Sequence, residues 1–263
     1  MRKLLGGFTG LVLVALYAPI VVMILFSFNE SKYSVKWTGF TFDWYRQLAG
    51  NEKIHKDLLN TLKISGASTV LATLLGTMAA MAGRSAFRGK RLYTTLVALP
   101  VMVPDIVLGM AMYSLFHFID VHVVRLPLSL GTAVVAHTTF NLAYVAVVVS
   151  ARLQGLDRSI ELAAQDLGAT PLRAFWKVTL PAILPGVVSG AVLAFTLSFD
   201  DFVITYFTTG QGNGTLPMRI YSLVRFAVTP EINAISTVIL AASLVLIAGA
   251  LRFSRVPVAG GGR

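Results

Sequence analysis

Three carboxylates of the sequence lie within or at the ends of strongly apolar stretches: Asp105, Asp200 and Asp201. If these stretches cross a membrane, each ionised side chain at depth costs at least about 2.5–3.5 kcal/mol, so it is expected to face the protein interior or a wet cavity. Lys63 is the main basic residue at comparable depth. The surplus of negative charge therefore suits passage of a cation, and two adjacent carboxylates suit a substrate with more than one positive charge.

A structural role for the same carboxylates is the alternative. In that interpretation Asp200 caps a broken helix, while Asp201 pairs with Lys63 or with a partner subunit. A second polar pair, His137 and Asn141, is one helical turn apart and lies on one face of its helix. This spacing suits an interhelical hydrogen-bond pair, or a lining of the transport pathway.

The sequence lacks the motifs for several kinds of ligand binding and catalysis. There is no G-x-x-x-x-G-K-[ST] motif for ATP and no H-E-x-x-H motif for zinc. The absence of cysteine excludes disulfides and Cys-based metal sites. No nucleophile, base and orienting group form a recognisable catalytic set, and helical metal-ligand spacing is missing among His55, His117, His122 and His137. We therefore expect a non-catalytic chain with no metal site and no cofactor of its own.

The composition places these residues in a membrane protein. Hydrophobic residues make up 56% of the chain and charged residues 13%, about half the charged share of soluble domains. A membrane helix needs roughly 20 consecutive, mostly apolar residues. Six stretches qualify, at residues 8–28, 59–83, 92–115, 128–151, 183–208 and 232–251. The prediction is an all-α integral membrane protein with six spans in a single transmembrane domain, residues 1–263, whose core is about residues 57–252.

The third stretch carries a possible interruption beside Asp105. Pro100 and Pro104 bracket it in the sequence LPVMVPDIVLGM. A discontinuous membrane helix leaves backbone groups free, and these are tolerated where they line a cavity. We therefore expect a helix break just before Asp105, in the outer half of the membrane.

Basic residues predict the orientation. Arg84, Arg88, Lys90 and Arg91 crowd one short connection, whereas the short connection at residues 116–127 has only Arg125. Short basic loops stay in the cytoplasm, which puts both termini inside. The net charge of +10 then reflects residues at membrane edges, where anionic headgroups attract them, rather than binding of nucleic acid.

An amphipathic segment at residues 152–180 separates two of the apolar stretches and has the signals of two short helices. Asp157 suits the N-cap of the first helix, and Gly168 suits the left-handed position that ends it. Thr170 and Pro171 suit the N-cap and first residue of a second helix, which Pro181 is expected to close. Such an ordered loop on a membrane protein favours a docking site for a partner.

The amphipathic segment resembles the EAA motif of permease subunits of binding-protein-dependent ABC importers, roughly E-A-A-x-x-x-G followed by I-x-L-P. The matching residues are Ala163, Ala164, Gly168, Val178, Leu180 and Pro181. Leu162 occupies the position of the motif glutamate, and Glu161 lies one residue earlier. On a helix these two side chains point about 100° apart.

A closer resemblance is to spermidine/putrescine (polyamine) permeases, and it extends over most of the chain. It is carried by LYAPIVVMILFSFNESK, LPVMVPDIVLGM, AHTTFNLAYVAVVVSARLQGLDRSIELAAQDLGATP and LAFTLSFDDFVITYFTTGQGNGTLPMRIYSLVR. The most specific pieces are the Ser-Phe-Asp-Asp element that ends at Asp201 and the Thr-Leu-Pro that ends at Pro217.

The resemblance implies a six-helix bundle of the type I ABC importer permease (MetI-like) kind in the bacterial inner membrane. It implies an ATP-binding cassette ATPase dimer as partner, which binds ATP and Mg, with a second permease subunit in a heterodimer and an extracytoplasmic substrate-binding protein. Asp105, Asp200 and Asp201 are expected to border the substrate pathway. ATPase docking is expected at Glu161, Leu162, Ala163, Ala164, Gly168, Ala169, Pro171, Leu180 and Pro181.

Other functions remain open on the residues alone. Within the importer class, the substrate could be another small organic cation or an amino compound. A secondary transporter or channel driven by ion gradients through the buried carboxylates is a second class, although it leaves the amphipathic segment without a purpose. A membrane-embedded enzyme is disfavoured by the missing catalytic set.

Overall fold

The computed structural model describes residues 2–31, 36–225 and 229–254 of the chain. Within these residues, twelve α-helices and one π-helical turn at Phe175–Thr179 follow one another. The α-helices are α1 (Arg2–Phe26), α2 (Asp43–Gly50), α3 (Glu52–Arg84), α4 (Lys90–Met102), α5 (Asp105–His122), α6 (Leu130–Gln154), α7 (Arg158–Asp166), α8 (Pro171–Ala174), α9 (Leu180–Asp200), α10 (Val203–Thr208), α11 (Leu216–Val224) and α12 (Pro230–Ser254).

The prediction of an all-helical membrane protein is confirmed. Four helical stretches of the described chain are long and apolar enough to cross a membrane: Gly6–Phe26, Glu52–Arg84, Leu130–Gln154 and Pro171–Asp200. α4 and α5 add a fifth if the bent pair forms one span, and the apolar helix at Pro230–Val245 is shorter. A count of six spans stays a prediction.

The chain divides into two compact units, Lys56–Met218 and a smaller one that combines Met1–His55 with Arg219–Arg263. In the larger unit, α6 is the most buried span, because it packs along α9 and also contacts α3 and α4. α6 and α9 are antiparallel: His137 faces Ser198, and two turns later Val145 faces Gly190. The core that α6 and α9 share with α3 consists of Ala72, Ala80, Val145, Val149, Leu153, Ile183 and Ala194.

A glycine allows α3 to approach this core closely. A Cβ atom on Gly76 would lie 2.7 Å from Val145 Cβ and 2.8 Å from the carbonyl oxygen of Leu142. These distances are shorter than any ordinary carbon contact, so only a residue without a side chain fits between α3 and α6. Small residues at helix contacts are typical of membrane bundles, where they let backbones come close.

α5 and α10 pack against each other and against α6. Their core contains Phe116, Ala136, Phe140 and Ile204. Gly109 of α5 lies directly under Phe207 of α10, since an added Cβ would be 2.9 Å from the Phe207 ring. The first turns of α5 therefore lie beside α10.

The predicted break before Asp105 is confirmed. α4 ends at Met102, α5 begins at Asp105, and the two axes differ by 108°. Val103 is extended (φ −82°, ψ 132°), as expected for a residue that precedes proline. Pro100 lies inside α4, so Pro104 alone marks the break.

The expectation that Pro181 closes the second short helix is wrong. α8, the π-helical turn and α9 form one helical stretch from Pro171 to Asp200. Pro181 lies in the first turn of α9 after the π-helical turn. Because proline has no N–H, the helical hydrogen-bond ladder lacks one bond at this position.

In the smaller unit, Asn29 organises the segment that follows α1. Its side-chain amide donates to the carbonyl of Lys36 at 2.8 Å, and its Oδ1 accepts from the N–H of Thr38 at 3.0 Å. The indole N–H of Trp44 donates to the Asn29 carbonyl at 2.8 Å. These bonds hold α2 near the end of α1, and α12 packs against both helices.

Candidate functional site

Asp201 lies in the break between α9 and α10 and serves the first turn of α10. α9 ends at Asp200 and α10 begins at Val203. The N–H and the hydroxyl of Thr205 each donate to Asp201 Oδ2 at 2.8 Å, and the N–H of Ile204 reaches Oδ1 at 3.3 Å. Because free N–H groups at a helix start favour a carboxylate, Asp201 rather than Asp200 fulfils the capping role.

His137 of α6 lies against Asp201 and two hydroxyl groups. Its Nε2 lies 3.3 Å from Asp201 Oδ2 and 2.9 Å from Thr205 Oγ1, while its Nδ1 lies 2.6 Å from Ser198 Oγ. The side chains of His137 and Asp201 are only 1% and 8% exposed. Ser198 Oγ in turn lies 3.1 Å from Ser68 Oγ of α3. One buried polar network thus joins α3, α6, α9 and α10.

This network decides between alternatives that the sequence left open. The pairing of Asp201 with Lys63 is wrong, since the partner is His137 and Lys63 is exposed on α3. The interhelical role expected of His137 is confirmed. Asn141 does not share it: both its side-chain amide atoms are buried and have no hydrogen-bond partner among the residues that the structure describes.

Asp200 and Asp105 differ from Asp201 in being exposed. Asp200 is the last residue of α9, and Asp105 is the first residue of α5. Gly109, one turn or about 6 Å along α5 from Asp105, packs against α10 just after the break. The structure therefore places the start of α5 on the side of the bundle where α9 ends. In residues 2–31, 36–225 and 229–254, no group of three or more His, Asp or Glu side chains could hold a metal ion.

The amphipathic segment has the local structure that its sequence predicts at three positions. Asp157 is the N-cap of α7 and accepts from the N–H of Ser159 at 2.8 Å. Hydrogen bonds from the Ser159 backbone and side chain hold the pKa of Asp157 below its usual value. Gly168 has φ +87°, and Thr170 accepts from the N–H of Arg173 at the start of α8.

The residues expected to dock the ATPase divide by exposure. Leu162 and Ala163 are exposed on α7, and Gly168, Pro171 and Pro181 are exposed beyond it. Ala164, Ala169 and Leu180 are partly buried. Sequence reasoning missed the large exposed apolar side chains of the same segment, which are Ile160, Leu167, Leu172 and Trp176. Apolar residues among charged ones, on helices too short to span a membrane, were the available signal.

Glu161 faces the protein interior instead. Arg84, the last residue of α3, donates through Nη1 to Glu161 Oε2 at 2.6 Å. The buried hydroxyl of Thr179 donates to Glu161 Oε1 at 2.9 Å. The 100° separation of neighbouring helix positions therefore leaves Leu162 outside and Glu161 inside.

Comparison with known proteins gives the family of the chain. Residues 72–256 match the family described as binding-protein-dependent transport system inner membrane component. The chain is 44% identical over 245 residues to the putrescine transport system permease protein PotI of Escherichia coli (strain K12), covering 91% of this chain and 84% of PotI. It is 37% identical over 262 residues to the spermidine/putrescine transport system permease protein PotC of Shigella flexneri, covering 99% and 97%.

A solved structure supports the fold independently. The chain resembles one in the crystal structure of a bacterial ABC transporter involved in the import of the acidic polysaccharide alginate, with a TM-score of 0.79 and 17% identity over 98% of this chain and 95% of that one. The fold is thus that of MetI-like ABC importer permeases. With the family match over most of its length, the chain belongs to the inner membrane components of binding-protein-dependent transport systems.

Proposed function

We propose that this protein is one of two permease subunits of an ATP-driven importer that carries putrescine or spermidine into the cell. The identity to PotI and PotC over most of the chain supports this proposal best. In it, residues 1–263 form a single permease domain with six spans and both termini in the cytoplasm. In this topology the bent α4–α5 pair and the shorter apolar helix Pro230–Val245 would be the fifth and sixth spans.

The break between α9 and α10 is the proposed contact with the substrate. Asp200 is exposed there, and Asp105 starts the neighbouring α5. Both carboxylates can meet the ammonium groups of a polyamine, which are hydrogen-bond donors with a positive charge. Asp201 borders the same route, but its hydrogen bonds give it a second task, which is to hold α10 in position beside Asp200.

The exposed part of the amphipathic segment is the proposed docking site for the ATPase. Leu162, Leu167, Leu172 and Trp176 are each at least half exposed, and Leu167 is 90% exposed. Exposed apolar side chains grouped on short helices are typical of a protein interaction site. The neighbouring Ala163, Gly168 and Pro171 belong to the same surface.

The proposed assembly contains an ATPase dimer, a second permease and an extracytoplasmic binding protein, and the ATPase binds ATP and Mg. Closure of the ATPases on ATP would push the docked segments and rock the membrane helices from an inward-facing to an outward-facing state. Such a change requires that the ATPase and binding protein contact the two states differently.

Purification of the tagged chain from its native membrane in mild detergent tests this proposal. We expect an ATPase and a second permease to copurify in stoichiometric amounts, and the complex to take up putrescine in liposomes only with ATP and the binding protein. Deletion of residues 155–174 should abolish copurification of the ATPase while the chain stays in the membrane.

Two point variants sharpen the same experiment. Leu167→Asp should release the ATPase, because it places a charge in the apolar contact. Phe87→Asp is the matched control, since Phe87 is an exposed apolar residue of the α3–α4 turn outside the amphipathic segment. A chain that purifies alone and still moves a cation in liposomes would contradict the importer and favour an ion-coupled transporter.

A further inference from the structure

The two oxygens of the Glu161 carboxylate are bound by two different helices. Oε2 accepts from Arg84 at the end of α3, and Oε1 accepts from Thr179 directly before α9. Glu161 itself lies in the first turn of α7. One side chain therefore connects α7 to the end of α3 and to the residue directly before α9.

The environment of this carboxylate strengthens both contacts. The side chains of Arg84 and Glu161 are 17% and 18% exposed, and Thr179 is fully buried. Ionic interactions shielded from water are screened less than surface pairs, and loss of one partner leaves the other charge unpaired in a poor solvent. Arg84 also ends α3, where a positive charge interacts favourably with the helix dipole.

Glu161 is the carboxylate partner of Arg84 within the described residues. The arginine guanidinium contacts Glu161 through Nη1, whereas Nη2 is buried without a hydrogen-bond partner among the described residues. The pair is not bidentate, because the second carboxylate oxygen is taken by Thr179. The geometry thus divides one carboxylate between two helices, which a simple surface ion pair would not require.

The helical stretch that contains Thr179 is irregular. Thr179 ends the π-helical turn Phe175–Thr179, which separates the short α8 from the long α9. A π-helical turn interrupts the regular ladder of backbone hydrogen bonds, and such turns occur frequently at functional sites. The π-helical turn thus separates α8 from α9, and the hydrogen bond between Glu161 and Thr179 links α7 directly to the start of α9.

We propose that Glu161, with Arg84 and Thr179, forms a latch that transmits motion of the docked amphipathic segment to α3 and α9. Glu161 is thus a positioning residue that acts within this chain, while the ATPase contacts the exposed side chains on the other face of α7. This inference rests on the proposed ATPase docking. It assigns the coupling between the docked surface and the transport pathway to three named side chains.

The ratio of ATP hydrolysed to putrescine transported tests the latch. We would measure both rates with the complete reconstituted transporter in liposomes. Glu161→Gln and Thr179→Val should keep the ATPase bound but raise this ratio about tenfold, within the range of typical coupling energies. Because the ratio refers to assembled complexes, lower amounts of a poorly folding variant do not mimic the effect.

Further variants complete the design. Arg84→Glu and Glu161→Arg, each made alone, should raise the ratio because each places two like charges together. The double variant that carries both substitutions restores an ion pair of opposite polarity, and we expect it to recover part of the lost coupling. Glu52→Gln is the matched control, because Glu52 is an exposed acid at the start of α3, the helix that ends at Arg84. It should leave the ratio unchanged.

Three outcomes are distinguishable. A raised ratio in Glu161→Gln and Thr179→Val with the ATPase retained supports the latch. Loss of the ATPase from Glu161→Gln, or a wild-type ratio in both variants, overturns it while leaving the proposed importer intact. Failure of the wild-type chain to bind any ATPase would instead overturn the proposed function, and the latch with it.

Discussion

At the scale of single residues, neighbouring carboxylates have different environments. Asp200 is exposed at the end of α9, whereas Asp201 is buried and bonded to His137 and Thr205. Adjacent residues at a helix end point in different directions, so one can face a pathway while the other holds the structure. Their contributions to transport should therefore be separable.

Asp200→Asn tests the contact with the substrate. We expect the concentration of putrescine for half-maximal uptake to rise about tenfold to a hundredfold, because a hydrogen bond to a charged group contributes roughly 1.5–3 kcal/mol. Uptake measured against putrescine concentration gives this value. Glu52→Gln removes an exposed acid at the start of α3 and serves as control. An unchanged concentration dependence in Asp200→Asn would assign that carboxylate a structural role.

His137→Ala tests the buried network instead. The substitution removes the contact of His137 with the buried Asp201 carboxylate, and a hydrogen bond to a charged group contributes roughly 1.5–3 kcal/mol. We expect a lower midpoint of thermal unfolding in detergent, and a smaller decrease for His137→Gln, whose amide can still donate one hydrogen bond. If both variants unfolded at the wild-type temperature, the buried network would contribute little to the stability of the fold.

At the scale of helices, close approach and interruption define the larger unit. Gly76 brings α3 onto α6, while Gly190 and Val145 bring α9 onto the same helix. Interruptions lie where the proposed function needs irregular backbone: between α4 and α5, and between α9 and α10. The π-helical turn is a third irregularity, next to the latch.

Gly76→Ala tests the contact between α3 and α6. Its new methyl group would overlap Val145 and the Leu142 carbonyl, and overpacking of this kind costs about 1–3 kcal/mol. Gly66→Ala is the control on the same helix, because a Cβ there meets nothing within 4 Å. Thermal unfolding in detergent should show a loss of stability for Gly76→Ala and none for Gly66→Ala. Equal midpoints for the two variants would argue against the close approach.

At the scale of the whole molecule, the family and the helical fold agree with an importer permease. The distribution of charge predicts which ends of the helices face the cytoplasm. Basic residues crowd the α3–α4 turn, whereas the loop between α10 and α11 is rich in glycine. Those two loops are therefore good reporters of orientation.

Single-cysteine labelling tests that orientation in a chain that has no cysteine of its own. We expect a membrane-impermeant maleimide to label Gln211→Cys in intact cells. Arg88→Cys should react only after the membrane is opened. Both positions are exposed, so access to the reagent depends on the side of the membrane. Labelling of Arg88→Cys alone in intact cells would reverse the proposed topology.

The predictions that succeeded from sequence were local or compositional. Composition predicted the four long apolar stretches, whereas the break before Asp105, the N-caps at Asp157 and Thr170 and the left-handed Gly168 depend on residues within one or two turns. The prediction that Pro181 ends the second short helix was wrong, because the sequence gives no sign of the π-helical turn that places Pro181 in the first turn of α9.

The sequence by itself determined the membrane class, the family and the local helix signals, because hydrophobicity and capping act between near neighbours in the chain. Only the tertiary structure decided which polar groups meet. The pairs His137–Asp201 and Arg84–Glu161 join residues more than sixty positions apart, and Thr179 completes the second pair. Such partners depend on how α3, α6 and α9 pack, and that packing follows from side-chain volumes and glycine contacts that no local pattern encodes.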